Sequence, residues 1–302
     1  MKPSQQKSII PQPVPQGGTL GVVAPSGPFD PALFKKGLAV LVRMGFQTVL
    51  PEGLSKKTGY LAGTDAHRAH ILHEMFSDGS VEGIICARGG YGSVRILPLL
   101  DFDRIRKTPK PLIGFSDISA LLNTLYLKCG LVTYHGPVVT TLAEATPKTR
   151  KSLNAALKGF QPLELVLSRP RVMRPGKAKG ILMGGNLTTL CHLVGTPFAP
   201  RYKDAVLLLE DKGEPLYRID RMLTQMKLSG CFKRIAGLIL GEFVDCGDMR
   251  SLYRIFRDFF WEYEIPILGG FEIGHGRGNH TVPIGVPVEL DTHRGSLLFQ
   301  WP

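Results

Sequence analysis

A serine at the junction of two predicted elements is the first residue in this sequence that has the chemistry of a nucleophile. In KPLIGFSDIS, residues 110–119, an apolar run ends just before Ser116, and the helix-like run ALLNTLYLKCG follows. Ser116 is therefore either the N-cap of that helix, where serine is favoured, or a nucleophile exposed at a sharp strand-to-helix turn. Because Ile118 stands where the second glycine of G-x-S-x-G would be, the pattern alone leaves both interpretations open.

A glycine-rich turn, ARGGYG at residues 87–92, follows an earlier apolar run. It is neither G-x-G-x-x-G nor a Walker loop, so it does not indicate a dinucleotide or phosphate site. Either the turn simply needs the positive φ angles that glycine permits, or it lets backbone N–H groups approach a ligand, as an oxyanion site requires. In the second interpretation, the amides of Gly90 and Asp117 form a two-donor oxyanion hole.

A serine nucleophile needs a base and a group that orients the base. His275 lies in GGFEIGHGRGNHTVPIG, where a predicted strand ends and glycines leave room, and it is either that base or an ordinary loop residue. His280 immediately precedes the next predicted strand, which favours a supporting or surface role. Glu210 follows five apolar residues in AVLLLED, at the end of a buried strand, where a carboxylate needs a partner such as histidine.

The remaining candidate ligands do not predict a metal site. His67, His70 and His73 share a predicted helix, but they lack a carboxylate pattern such as H-E-x-x-H, so a solvated helix face is the better interpretation. The five cysteines are scattered without any C-x-x-C, which predicts buried thiols rather than disulfides or a zinc knuckle.

Alternating strand-like and helix-like segments position these residues. From residue 19 onward the alternation predicts an α/β domain with a parallel sheet covered by helices on both faces, and ligands of such sheets bind outside the carboxyl ends of the strands. We predict a flexible tail at 1–18, the nucleophile domain at 19–160, a basic, proline-containing linker at 161–178, and a smaller α/β domain with a hairpin at 179–302.

Composition narrows the class of protein. The 302 residues include 43% hydrophobic and 21% charged side chains, as in globular proteins. The net charge of +12 is spread without a long Lys/Arg block, so nucleic acid is not the expected partner, and an acidic small substrate fits better. No apolar run approaches the roughly 18 residues that span a membrane. The polar, proline-rich N-terminus lacks a signal-peptide core, so we expect a cytoplasmic protein.

Seven motifs together resemble the serine-type LD-carboxypeptidase family, which includes murein tetrapeptide carboxypeptidases and microcin-immunity peptidases. The resemblance covers about residues 18–300 and depends on these segments: VVAPSGP, ICARGGYGSVRILPLLD, PLIGFSDISALL, YHGPV, GGNLTTL, LLLEDKGEPLYRIDRMLTQM and GHGRGNHTVPIG. It implies a flavodoxin-like N-terminal domain and a C-terminal domain that carries two of three catalytic residues.

The resemblance also implies the chemistry. It assigns Ser116 as nucleophile, Glu210 as orienting acid and His275 as base, with the amides of Gly90 and Asp117 as oxyanion donors. The expected reaction releases D-alanine from murein tetrapeptides in peptidoglycan recycling, without cofactor or metal, and the family suggests a homodimer. Two alternatives stay open: cleavage of a peptidyl-nucleotide, as in microcin immunity, and binding of murein peptides without catalysis.

Overall fold

The structure is a computed structural model that describes residues 8–159 and 164–301. The chain divides into two compact units. The first unit comprises Met1–Phe160 and Thr281–Gly285, and the second comprises Gln161–His280 and Val286–Pro302.

Fourteen strands are described. They are β1 (Thr19–Val23), β2 (Gln47–Val49), β3 (Gly83–Cys86), β4 (Leu112–Gly114), β5 (Thr133–His135), β6 (Glu164–Val166), β7 (Arg171–Arg174), β8 (Lys177–Asn186), β9 (Ala205–Lys212), β10 (Gly237–Val244), β11 (Ile267–Gly274), β12 (Val282–Ile284), β13 (Pro287–Asp291) and β14 (Ser296–Phe299).

Ten α-helices are described along with three short 3-10 helices. The α-helices are α1 (Pro31–Arg43), α2 (Asp65–Ser77), α3 (Ser93–Ile96), α4 (Phe102–Lys107), α5 (Ser119–Cys129), α6 (Val139–Leu142), α7 (Pro147–Leu157), α8 (Leu187–His192), α9 (Leu216–Leu228) and α10 (Met249–Phe259). Among the described residues, none of these helices is long and apolar enough to cross a membrane.

The sheet of the first unit has the strand order β12-β5-β4-β3-β1-β2. The five strands β1 to β5 pair in parallel in the order 2-1-3-4-5, which is the flavodoxin-like order, and β12 pairs antiparallel with β5. The predicted α/β class is therefore confirmed. All four residues of β3 are buried, as expected for a central parallel strand covered on both faces.

Local sequence signals explain where the helices of this unit begin and end. The N-cap Asp30 accepts a hydrogen bond from the Leu33 N–H at 2.8 Å, and Pro31 occupies the first turn of α1. The C-cap of α5 is Gly130 at φ 74°, a left-handed conformation that glycine adopts without steric cost. These ends fix the loops that follow β1 and precede β5.

The sheet of the second unit has the order β6-β14-β13-β8-β9-β10-β11-β7. Its four central strands, β8 to β11, are parallel, and the strands outside them pair antiparallel. The strands β13 and β14 form the hairpin that the sequence predicted. The apolar run of β9 is buried from Ala205 to Asp211, so Glu210 is held inside the sheet.

The structure differs from the predicted boundaries in three places. The predicted linker at 161–178 contains β6 and β7, which occupy the two edges of the second sheet, where short polar strands are common. In the predicted tail at 1–18, Val14 is buried and Ile9 bridges Leu131, while residues 1–7 lie outside the described part of the chain. Finally, residues 281–285 belong to the first unit.

Candidate active site

Ser116 adopts a backbone conformation that serine rarely takes. Its φ is +64°, and it begins a 3-10 helix at Ser116–Ile118 that leads into α5. The N-cap of the 3-10 helix is Phe115 and that of α5 is Ile118, so Ser116 caps neither helix. A left-handed non-glycine residue costs on the order of 1–2 kcal/mol and is concentrated at functional sites. This geometry favours the strand-to-helix elbow over the N-cap.

The glycine turn lies against this elbow. A Cβ placed on Gly89 would stand 2.9 Å from the Ser116 Cβ, closer than real Cβ atoms approach, and 3.2 Å from the Ser116 Oγ. Gly90 has a φ of +105°, so both positions require glycine, the first for close approach and the second for backbone conformation. The turn that was predicted to supply an oxyanion donor is therefore in contact with Ser116.

The carboxylate of Asp117 holds this loop cluster together. It is buried and accepts hydrogen bonds from the Ser26 hydroxyl at 2.5 Å and from the Ser93 N–H at 2.8 Å. The Ser93 hydroxyl in turn donates to the Asp117 carbonyl at 2.6 Å. The sequence predicted a role only for the amide of Asp117, whereas its side chain also links the loop after β1 and the start of α3 to the elbow.

A buried arginine makes a second set of hydrogen bonds within this loop cluster. The Arg68 guanidinium donates to the carbonyls of Pro25 and Gly92 and to the carboxylate of Asp65. Its side chain is fully buried in α2. Arg68 thus joins the loop after β1 to the end of the glycine turn. The helical pattern placed Arg68 in α2, but nothing in the sequence indicated that a charged residue there would be buried.

We predict that Arg68→Met destabilises the protein by about 3 kcal/mol, because it leaves the carbonyls of Pro25 and Gly92 without their buried donor. Arg95→Met is the matched control, since Arg95 binds the same Asp65 at 2.8 Å but is 43% exposed. Its loss should cost less than about 1 kcal/mol. Urea unfolding of both variants measures the difference, and equal destabilisation would contradict the role assigned to Arg68.

In the second unit, Glu210 and His275 form a buried pair. Glu210 is at the end of β9 with a side chain that is 0% exposed, and His275 directly follows β11 with a side chain that is 16% exposed. His275 Nδ1 and Glu210 Oε2 are 2.6 Å apart, a charge-assisted hydrogen-bond distance. The structure therefore brings these two predicted site residues together.

Two glycines leave space for the Glu210 side chain. A Cβ on Gly274, whose φ is +111°, would stand 2.4 Å from Glu210 Oε2, and one on Gly241 would stand 3.1 Å from the Glu210 Cβ. The Gly274 N–H donates to Asn279 Oδ1 at 3.0 Å, which fixes the turn that carries His275. No sequence pattern indicated this role for Asn279, because only the folded turn brings its side chain to the Gly274 N–H.

The surroundings of His275 change its acidity. Burial by itself lowers the pKa of the imidazole, but the hydrogen bond to Glu210 and the charges of Glu210 and Asp211 outweigh it, so the pKa of His275 lies above 6.5. Burial and the neighbouring charge of Glu210 also raise the pKa of Asp211, whose carboxylate accepts hydrogen bonds from Asn186 at 2.9 Å and Thr188 at 2.8 Å.

His280 has a different environment. Its Nε2 is 3.8 Å from a carboxylate oxygen of Glu272, which is 45% exposed, and its backbone N–H donates to the Glu272 carbonyl at 2.7 Å. His280 is the last residue of the second unit before the chain enters residues 281–285. His280 is thus partly buried beside a half-exposed carboxylate, and its supporting or surface role stays a prediction.

The other candidate ligands have structural partners. Within the described residues, no group of three or more His, Cys, Asp or Glu side chains could hold a metal ion. On α2, His67 Nε2 is 3.0 Å from the Gly53 carbonyl, and His73 Nε2 accepts the Asp101 N–H at 2.9 Å. The five cysteines are buried and free, which confirms the prediction of buried thiols.

Of the predicted site residues, Gly90, Ser116 and Asp117 lie in the first unit, whereas Glu210 and His275 lie in the second. The first unit holds a strained serine beside a glycine turn, and the second unit holds a buried carboxylate–imidazole pair. These are the parts that a serine hydrolase needs.

Comparison with known proteins places the chain in a family. Residues 20–136 match the LD-carboxypeptidase N-terminal domain, and residues 179–290 match the LD-carboxypeptidase C-terminal domain. The chain therefore belongs to the LD-carboxypeptidase family, and it is a serine carboxypeptidase.

Individual relatives agree with this assignment. A probable murein peptide carboxypeptidase of Bacillus subtilis is 38% identical over 294 residues, covering 93% of this chain and 91% of the relative. The murein tetrapeptide carboxypeptidase of Pseudomonas aeruginosa is 33% identical, covering 93% of this chain and 95% of the relative. A solved structure of MccF in complex with glutamyl sulfamoyl guanosine has a TM-score of 0.89 at 27% identity, covering 96% of this chain and 98% of that one.

Proposed function

We propose that this protein hydrolyses the L,D-peptide bond between the diamino acid and the terminal D-alanine of murein tetrapeptides, through an acyl-enzyme formed on Ser116. The observation that carries the proposal is the 2.6 Å contact between His275 Nδ1 and the buried Glu210 carboxylate. A histidine held in this way presents its Nε2 as a base. The names of the two carboxypeptidase relatives support the substrate class.

In this mechanism, Ser116 Oγ attacks the carbonyl carbon of the diamino acid while His275 Nε2 takes the hydroxyl proton. The amides of Gly90 and Asp117 donate to the oxyanion that develops. The imidazolium then gives its proton to the amine of the departing D-alanine. A water molecule, deprotonated by His275, attacks the acyl ester and releases the tripeptide and Ser116. Glu210 stays ionised throughout and stabilises the imidazolium.

The charge of the protein suits this substrate, because murein stem peptides carry several free carboxylates that a protein of net charge +12 attracts. We further propose that the enzyme works as a homodimer in the cytoplasm, where such peptides are recycled. Sedimentation velocity of the purified protein tests the dimer.

The test of the proposed function is to incubate the purified protein with a murein tetrapeptide and to measure D-alanine release by mass spectrometry. We expect release that is unchanged by EDTA, since the mechanism needs no metal. Release that stops with EDTA and returns with zinc would contradict the serine mechanism. An absence of release together with tight peptide binding would support a binding protein instead.

The second candidate activity is hydrolysis of a peptidyl-nucleotide. It is favoured by the similarity to MccF, whose solved structure contains glutamyl sulfamoyl guanosine. The identity of 27% to that structure is lower than the 38% to the murein peptide carboxypeptidase, so the murein substrate is preferred. Direct comparison of kcat/KM for a murein tetrapeptide and an aminoacyl sulfamoyl nucleoside tests which of the two substrates is preferred.

We predict that the acid limb of the kcat/KM profile lies above pH 6.5, because the pKa of His275 is raised and the base must be neutral to accept a proton. Activity is therefore lost as the pH falls through that pKa. In Glu210→Gln the hydrogen bond to a carboxylate disappears while burial remains, and burial lowers the pKa of His275. The acid limb should then move to lower pH, with a smaller maximum rate.

Glu272→Gln is the matched control for this pH profile. It makes the same change of charge in the same unit, beside His280 rather than His275. Its acid limb should coincide with that of the unchanged protein. A shift in Glu272→Gln as large as that in Glu210→Gln would contradict the assignment.

A further inference from the structure

A cavity of about 440 Å³ in the first unit takes no part in the mechanism described above. It is lined by the loop after β1, which includes Pro28, Phe29 and Asp30, by Lys56 and Lys57 from the segment before α2, and by Arg88. Its volume is within the range of about 300–1,000 Å³ that holds small ligands.

The cavity adjoins the candidate nucleophile through the glycine turn. Arg88 is the residue before Gly89, and Gly89 is the position where an added Cβ would collide with Ser116. The Arg88 guanidinium donates one hydrogen bond, from Nη1 to the Pro28 carbonyl at 2.5 Å. That bond holds the arginine across the cavity wall and leaves other N–H groups of the guanidinium for a ligand.

Positive charge predominates in this cavity. Lys56, Lys57 and Arg88 supply three cations against the single carboxylate of Asp30. The Asp30 Oδ1 already accepts the Leu33 N–H at the start of α1. Among the described residues, neither lysine has an ion-pair partner. The net charge of the lining therefore favours an anionic ligand.

The remaining wall is apolar and rigid. The Phe29 ring stacks on Phe34 with ring centroids 4.2 Å apart, and prolines stand on either side of the Phe29–Asp30 pair. A ligand for this cavity thus combines an anionic group with an aliphatic part. A carboxylate that arginine can bind through two N–H groups meets the first requirement, and the methylene groups of an amino acid meet the second.

We propose that this cavity is a subsite for a free carboxylate of the peptide substrate, with Arg88, Lys56 and Lys57 as its specificity-determining residues. The inference rests on the proposed function for the identity of the substrate as an acidic peptide. In a murein tetrapeptide whose diamino acid is lysine, which is the probe used below, two carboxylates have this chemistry: the α-carboxylate of the γ-linked glutamate in the stem, and the terminal carboxylate of D-alanine. The terminal carboxylate belongs to the departing D-alanine itself, and the stem carboxylate belongs to the glutamate next to the diamino acid.

The experiment measures peptide binding by calorimetry in a Ser116→Ala background, so that turnover does not consume the ligand. Lys56→Ala/Lys57→Ala is compared with Lys35→Ala/Lys36→Ala, a matched control that removes two adjacent exposed lysines from α1 outside the cavity. We expect the Kd to rise about fivefold in the first pair and about tenfold in Arg88→Ala, and to stay unchanged in the control.

Amidated peptides distinguish the two sources of the carboxylate. If the stem carboxylate occupies the cavity, a tetrapeptide with that group amidated binds the cavity variants and the parent protein equally. If the terminal carboxylate occupies it, the C-terminal amide has this effect instead. Either result supports the subsite, and the affinity difference should shrink with added salt.

A Kd that rises equally for the free acid and for both amides, or equally in the control pair, would overturn the proposal. So would free-acid binding that is unchanged in all cavity variants. These results are separate from a failure of the proposed function, which appears as an absence of D-alanine release by the unchanged protein while binding is still measured.

Discussion

Ser116→Ala is expected to abolish D-alanine release and to leave the fold intact. The substitution removes only the hydroxyl group, and loss of a serine nucleophile costs on the order of 10⁴- to 10⁶-fold in kcat. A residual rate above that of water remains, because binding and the oxyanion donors are unaffected. Single-turnover assays with a murein tetrapeptide measure the loss, and near-normal release by this variant would contradict the nucleophile assignment.

Ser116→Gly adds a second measurement, which is the stability of the protein. The stability reports on the backbone conformation of residue 116, whether or not the serine is the nucleophile. It is equally inactive by this mechanism, but glycine adopts a φ of +64° without the steric cost that alanine incurs. We expect Ser116→Gly to be about 1 kcal/mol more stable than Ser116→Ala in urea unfolding. The two variants therefore separate the hydroxyl, which the proposed mechanism needs, from the backbone conformation of residue 116.

His275→Ala is expected to reduce kcat about as severely as Ser116→Ala, whereas His280→Ala should keep most of the activity. His275 is held by Glu210 at 2.6 Å, while His280 faces the half-exposed Glu272 at 3.8 Å. The double variant Ser116→Ala/His275→Ala should be no slower than either single variant, because the proposed mechanism makes the two residues act as a unit.

The histidine variants control for each other, since they make the same substitution five residues apart in one loop. Circular dichroism and urea unfolding check that both fold. If His280→Ala lost activity and His275→Ala kept it, the base would be misassigned, although Ser116 would still be testable as the nucleophile. Additive losses in the double variant would argue that the two residues do not act together.

Local patterns were sufficient for most of the elements. The alternation of apolar runs and amphipathic segments predicted β1 to β5 and the long helices between them, because these elements lie in apolar or amphipathic stretches that are recognisable locally. The edge strand β7, with the sequence RVMR, has neither property. Its conformation is imposed by pairing with β11, a contact that spans almost a hundred residues and has no local signal.

The candidate site was also only partly predictable from the sequence. Glu210 was identifiable because a carboxylate after a fully apolar run must be compensated, and its buried position agrees with that argument. The φ of +64° at Ser116 and the contact between Gly89 and Ser116 were not identifiable, since both depend on how β3 and β4 place their following loops. Arg68 was missed for a related reason: its three acceptors come from separate parts of the chain.

The strand β12 has a consequence for how this chain can be divided. It pairs antiparallel with β5, although more than a hundred residues of the other unit separate the two strands in sequence. A fragment that ends at residue 160 would lack this strand and would expose the backbone N–H and C=O groups of β5, all three of whose residues are buried in the intact protein. An uncovered strand edge with unpaired N–H and C=O groups recruits strands from other molecules. The isolated N-terminal fragment should therefore aggregate, and adding a peptide of residues 281–285 should reduce the aggregation by restoring the missing edge.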